Sequence, residues 1–185
     1  MSRLRPNILI SGTPGVGKSL MAAKLGVKLN MRVVNVGQFA KEKGCLGEWD
    51  DAYQSHELDE DKVLDLLEEE VGKGEGGILV EHHVTDIFPE RWFDLVVVLR
   101  CDNTRLYDRL VTRGYEGKKL EENVQCEIFQ TVLDEAKEAY REEVVVELPS
   151  NTEDEMESNL MRCEGWVTAW MGDRGNVRKG KRKAQ

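Results

Sequence analysis

Eight consecutive residues, Gly12-Thr13-Pro14-Gly15-Val16-Gly17-Lys18-Ser19, match the pattern G-x-x-x-x-G-K-[ST]. Glycines at these positions let the backbone turn its N–H groups inward as a nest for anions, and a helix opening behind the loop adds partial positive charge. Lys18 is then placed to reach the β- and γ-phosphates of a nucleoside triphosphate. The Ser19 hydroxyl is placed to ligate the magnesium that offsets their charge. The binding element runs from Gly12 through Gly15, Val16, Gly17, Lys18 and Ser19 into Leu20, and the ligand it implies is ATP with Mg2+.

Two further groups of residues carry chemistry. Glu81-His82-His83-Val84-Thr85-Asp86 follows an aliphatic run, which puts it at the carboxyl edge of a sheet, where ligand crevices form. A histidine at His83 can position an attacking water, bond a γ-phosphate, or act as acid or base near neutrality. Arg109 and Arg113 lie four apart at the end of a predicted helix, on one face, pointing toward the short basic loop 113–119. Arginine suits a lid over a triphosphate because it is always charged and forks two donors onto phosphate oxygens.

The elements that must hold these groups alternate as in a parallel sheet wrapped by helices. Strands are predicted at Asn7 to Ser11, Arg32 to Val36, Gly77 to Glu81, Leu95 to Arg100 and Val144 to Leu148. All are short, aliphatic and without polar alternation, as strands buried on both faces are. Helices are predicted at Lys18 to Leu29, Gln38 to Lys43, Asp59 to Val71, Asn103 to Arg113, Leu120 to Glu142 and Thr152 to Met171. Thr152 with Glu155 forms a capping box for the last of these. The expected fold is α/β, a P-loop domain over residues 1–172 with five parallel strands flanked by helices. Two segments break the alternation and are expected to move over the ligand. One is Gly44 to Glu60, containing Trp49, Asp50, Asp51, Tyr53 and His56; the other is the loop 113–119.

Composition narrows the class. The 185 residues are 40% hydrophobic and 33% charged, the balance of a single soluble domain, and no apolar stretch approaches the roughly 20 residues of a membrane span. The four cysteines stand singly, which suggests reduced thiols. The net charge of −9 conceals a basic end: residues 173–185 hold six Lys and Arg against Asp173. That segment is expected to be a disordered tail, free to touch RNA. Neither the N-K-x-D and D-x-x-G strings of GTPases nor the L-S-G-G-Q of transporter ATPases occurs. A small kinase remains, with a second substrate bound beside the sheet.

Several strings are similar to those of one family: Pro6-Asn7-Ile8-Leu9, the loop itself, Asn35-Val36-Gly37, Leu58-Asp59-Glu60-Asp61, Phe88-Pro89-Glu90-Arg91-Trp92-Phe93, Thr112-Arg113-Gly114-Tyr115, Gln125-Cys126-Glu127-Ile128-Phe129-Gln130 and Leu148-Pro149-Ser150-Asn151. Over residues 6–171 the chain resembles adenylate kinase isoenzyme six. The resemblance implies a nucleoside monophosphate kinase fold, with the monophosphate segment at about 35–60 and the lid at 113–119. It implies phosphoryl transfer from ATP to AMP and an intrinsic ATPase. It also implies a small-subunit ribosomal protein as partner, a role in the pre-40S particle and rRNA maturation, a monomer without membrane contact, and residence in the nucleus and cytoplasm.

Residue by residue, the resemblance makes Arg113 the ATP-contacting lid arginine and Glu81 the carboxylate that orients magnesium, where the family has aspartate. It gives His83 a part in ATP hydrolysis, and His82 stands where the family has tyrosine. Gly37, Gln38, Phe39 and Lys41 match the monophosphate-binding helix, lysine replacing the family's arginine, and Arg91 matches an arginine that grips the acceptor phosphate. Ser150 and Asn151 are expected beside the adenine ring by analogy of fold.

Overall fold

The computed structural model of the chain describes residues 3–51 and 55–183, with side chains described up to Asp173. Strand β1 (Ile8–Ser11) shows why its residues are apolar as far as Ser11. Successive side chains leave opposite faces of a strand. Ile8 and Ile10 enter a core with Met21, Leu25 and Leu160, while Leu9 enters a second core with Val36, Leu67 and Trp92. The neighbouring strand Leu95–Arg100 divides the same way, Val97 and Leu99 to the first core, Val96 and Val98 to the second. A sheet covered on both faces leaves no position for a polar residue to alternate into.

In chain order the remaining elements are α1 (Lys18–Leu29), β2 (Arg32–Asn35), α2 (Val36–Lys43), β3 (Leu46–Asp50), β4 (Ser55–Leu58), α3 (Glu60–Leu67), β5 (Ile78–Glu81), β6 (Leu95–Arg100), α4 (Asn103–Thr112), α5 (Gly117–Ile128), α6 (Thr131–Ala139), β7 (Val145–Pro149) and α7 (Glu153–Lys183). Five strands form one parallel sheet in the order β2-β5-β1-β6-β7. From β1 the chain goes to the edge at β2, returns to insert β5 between them, and then crosses to the other side for β6 and β7, and this reversal opens a crevice at the carboxyl ends of the strands. All five predicted strands are present within a residue or two of their expected bounds.

Four expectations change. The run Leu120 to Glu142 is two helices, because Gln130 takes a left-handed conformation (φ 58°). The run lacks Gly and Pro, so nothing local announces the break. It arises because α5 packs on α4 whereas α6 packs on β6 and β7. The helix predicted from Asp59 to Val71 keeps its Asp59 cap, which accepts from the Lys62 N–H, but passes at Glu68 into a π-helical turn ending at Gly72. Gly44 to Glu60 is largely ordered as an antiparallel hairpin, β3 with β4, that sets Trp49 opposite His56; Tyr53 lies outside the described residues. The last helix, with the expected Thr152–Glu155 capping box, continues past Met171 to Lys183, through most of the segment expected to be a disordered tail. Lys and Arg propagate a helix well and favour its carboxyl end.

Candidate active site

Between β1 and α1 the loop 12–17 turns by means of glycines with positive φ. At Gly12 (φ 137°) a Cβ would lie 2.5 Å from the carbonyl oxygen of Leu99, and at Gly15 (φ 97°) one would meet the Leu106 and Leu110 side chains at 2.9 and 3.0 Å. Both conformation and space exclude a side chain there. Lys18 folds back over the loop, its Nζ donating to the carbonyls of Gly12 (2.8 Å) and Thr13 (3.1 Å). Burial lowers its pKa to about 8; the Glu81 carboxylate works against that shift and the Arg113 guanidinium adds to it. An ammonium held in so little solvent is primed for an anion.

Glu81 ends β5 and is buried, yet both carboxylate oxygens are engaged. Ser19 Oγ donates to Oε1 at 2.8 Å and Asn35 Nδ2 to Oε2 at 2.5 Å. Parallel pairing of β2 with β5 places Asn35 beside Glu81. The Ser19 hydroxyl and the Glu81 carboxylate are hard oxygen donors at the mouth of the phosphate loop, a set that fits magnesium. Among the described residues no cluster of three His, Cys, Asp or Glu forms a metal cage. Two protein oxygens suit an ion that keeps its waters and takes its other ligands from phosphate.

Beyond Glu81 the rings of His82 and His83 lie 4.5 Å apart. His82 is buried against Phe88 (5.8 Å between ring centroids), and desolvation, then the His83 and Lys18 charges, lowers its pKa to about 3. His83 is exposed toward the crevice, but crowding by the protein and then the Lys18 charge still lower its pKa, to about 4. Both imidazoles are neutral at pH 7, so His83 has a ring nitrogen free to accept a proton or orient a water.

Arg109 and Arg113 both line the same crevice, of about 900 Å³, over the phosphate loop. Their roles separate there. Arg109 Nη1 donates to the carbonyl of Ser150 (2.9 Å) and Nη2 to that of Asn151 (3.0 Å), so its fork holds the loop between β7 and α7. Arg113 caps the end of α4 and makes no side-chain hydrogen bond among the described residues, which leaves its donors for phosphate. Ser150 Oγ donates to the Val16 carbonyl (2.5 Å), and Asn151 Oδ1 accepts from the Asp102 N–H (2.7 Å). These bonds seat the Ser150-Asn151 loop at the crevice wall, where an adenine was expected.

The acceptor-side residues do not converge. Gly37 lines the crevice, and Gln38 sits on the exposed first turn of α2 with its amide donating to Glu42 (2.8 Å). Phe39 points the other way, into the core with Val36 and Leu67, and Lys41 is exposed outside the crevice lining. Arg91 is at the opposite end of the sheet. Its neighbour Trp92 accepts through its carbonyl from Asn7, at the start of β1, and Arg91 itself donates to both carboxylate oxygens of Glu68 at 2.9 Å. The chain between β5 and β6 must run back to the amino end of the sheet, and Arg91 lies near the end of that return. The carbonyl of Arg91 also accepts from Arg3.

Lys119, in the expected lid 113–119, lines the crevice; sequence reasoning missed Lys24 and Asn123, which also line it, and Glu127, which bonds the loop residue Thr13. The i, i+4, i+8 spacing of Lys119, Asn123 and Glu127 was the available signal, and it is shared by any solvated helix face.

Comparison with known proteins agrees with this architecture. Residues 8–130 match the family described as an AAA domain. The chain is 50% identical over 164 residues to the adenylate kinase isoenzyme 6 homolog of Caenorhabditis elegans, covering 88% of this chain and 90% of that one. It is 46% identical over 170 residues to the homolog FAP7 of Saccharomyces cerevisiae, covering 91% and 85%. A putative adenylate kinase of Saccharolobus islandicus is 34% identical over 172 residues, covering 90% and 88%. Among solved structures, the shikimate kinase of Bacteroides thetaiotaomicron superposes with a TM-score of 0.60 over 88% of this chain and 98% of its own, at 15% identity, a likeness of fold alone.

Proposed function

The chain belongs to the adenylate kinase isoenzyme 6 family, and from that membership we propose that it transfers the γ-phosphoryl group of ATP to AMP or a related nucleoside monophosphate and hydrolyses ATP when no acceptor is bound. The observation that carries this reading is the convergence of Lys18, the Ser19–Glu81 pair and Arg113, which makes no side-chain hydrogen bond among the described residues, on one crevice over the phosphate loop.

In this reaction an oxygen of the acceptor phosphate bonds to the γ-phosphorus while the bond from that phosphorus to the β–γ bridging oxygen breaks, giving two diphosphates. The loop N–H groups and Lys18 hold the β- and γ-phosphates in line, and Arg113 meets charge spreading over the transferring group. Ser19 and Glu81 would hold magnesium, which supplies neutralisation of the phosphate oxygens when bound. With no acceptor, a water takes its place, and His83, neutral and open to the crevice, orients it and accepts its proton.

A second reading is favoured by the placement of Phe39, Lys41 and Arg91 away from the crevice, which leaves the acceptor side without an arginine among the described residues. Here ATP hydrolysis switches affinity for a basic small-subunit ribosomal protein in the nucleus, and monophosphate kinase turnover is secondary. One assay separates the two: ADP formation from ATP and Mg2+ with each monophosphate in turn, beside an ATP-only control. Fast formation that depends on AMP supports the kinase. Formation indifferent to every monophosphate supports the switch.

A further inference from the structure

One buried charge at the site touches neither the crevice nor solvent. Glu127, near the end of α5, is 1% exposed, and four donors meet it. Thr13 Oγ1 donates to Oε2 at 2.6 Å, Arg100 Nε and the Cys101 N–H donate to Oε1 at 2.7 and 2.9 Å, and Arg100 Nη2 donates to the Glu127 carbonyl at 2.9 Å. A carboxylate is kept in such surroundings only when its charge and lone pairs are matched. Arg100 matches the charge, and one oxygen is left for a hydroxyl of the phosphate loop.

Thr13 occupies a position where the loop pattern admits any residue, so its hydroxyl is not demanded by anion binding itself. Its carbonyl also receives the Lys18 ammonium, so one residue anchors Lys18 through its backbone and Glu127 through its side chain. On α5, Lys119, Asn123 and Glu127 are spaced by four and form one stripe. The first two line the crevice and the third is bolted beneath it. At the other end of the helix Gly114 and Gly117 hold positive φ where a Cβ would meet nothing, so α5 runs from a glycine-flanked lid turn to its buried anchor at Glu127.

We propose that Glu127 is a positioning residue for nucleotide binding, which holds the phosphate loop in its anion-binding shape through Thr13 and couples that loop to the lid end of α5. The inference rests on the crevice being the ATP site but not on which acceptor is used.

Removing Glu127 strands Arg100 and endangers folding, so the test acts on Thr13. ATP affinity by titration calorimetry and melting temperature are measured for the wild-type protein and for Thr13→Val, Thr13→Ser, Lys119→Ala and the double variant Thr13→Val/Lys119→Ala. Thr13→Val is expected to weaken ATP binding about tenfold or more, the scale of one hydrogen bond to a charged group, and Thr13→Ser to restore it. Loss and coupling together require the double variant to lose less than the product of the two single losses. Thr13→Val binding ATP as tightly as wild type, or Thr13→Ser failing to restore binding, overturns the positioning role; strictly multiplicative losses overturn the coupling. A wild-type protein that binds ATP but makes ADP without regard to AMP defeats the kinase reading alone, since the comparison is of ATP affinity.

Discussion

The Ser19 hydroxyl donates to the Glu81 carboxylate at 2.8 Å, across 62 residues of sequence, so the start of α1 and the end of β5 present one pair of oxygens to the phosphate loop. Because Glu81 also receives Asn35, its length spans two donors at once.

Removing that carboxylate should be felt as a demand for metal. Glu81→Ala is expected to raise the magnesium concentration for half-maximal ADP formation by about tenfold or more. Glu81→Asp, one methylene shorter, keeps one of the two hydrogen bonds and falls between. A magnesium titration of each variant checks the order, and an unchanged requirement in Glu81→Ala removes Glu81 from the metal site.

The depressed pKa of Lys18 gives ATP binding a basic limit. Bound phosphate favours the ammonium, which the free protein holds below a pKa of about 8 and loses above it. Affinity is therefore full below that pH and falls as pH rises through it, approaching about tenfold per unit. Titrations with ATP across pH 7 to 9 should show the bend in wild type, and Lys18→Ala should bind weakly with no bend.

His82 should make the fold sensitive to mild acid. Its pKa of about 3 in the folded chain lies below the ordinary value of 6.5, so the unfolded chain takes up the proton first. The stability this contributes is present above pH 6.5 and is lost as pH falls toward 3, with about 2 kcal/mol gone by pH 5. His82→Phe, which keeps a ring against Phe88, is expected to flatten the decline between pH 6.5 and 5 measured by denaturant midpoints. A slope unaltered by the substitution would assign the decline to other groups.

Hydrolysis and transfer should respond differently to His83. His83→Ala is expected to lower acceptor-free ATP hydrolysis by about a hundredfold or more, the scale of a lost proton acceptor, with a smaller effect on AMP-dependent ADP formation. Equal losses would remove its separate role.

Arg91 provides the matching negative. It is held by Glu68 at the far end of the sheet, so Arg91→Ala should leave the KM for AMP within about twofold of wild type, as surface changes remote from a site do. A large rise in that KM would require the chain between β5 and β6 to reorganise.

How much of this was legible varies with the range of the interactions involved. The phosphate loop, its glycines and Lys18 were readable because the motif closes on itself: Lys18 bonds carbonyls five and six residues away. The inner strands β5, β1 and β6 were readable because burial on both faces leaves an almost wholly aliphatic run, and the edge strands β2 and β7 by their paired valines. The Thr152–Glu155 box was readable for the same local reason, a side chain and a backbone N–H three residues apart.

Other matters were decided only when distant segments met. Phe39 and Lys41 share a short helix with Gly37, and which of them faced the crevice depended on how α2 packs into the core that holds Val63 and Leu67. Spacing alone left Arg109 and Arg113 equivalent and only the resemblance singled out Arg113; the Ser150 and Asn151 carbonyls engage Arg109 and not Arg113. The break at Gln130 and the bond from Thr13 to Glu127, 114 residues apart, follow from α5 lying along the crevice wall against α4 while α6 packs on β6 and β7. By itself the sequence determined the class of fold and the phosphate-binding chemistry, because those are written in local spacing and in the pattern of burial. The choice of partners for charged side chains fell to the tertiary structure, because a carboxylate or guanidinium pairs with whatever the sheet order β2-β5-β1-β6-β7 brings within reach.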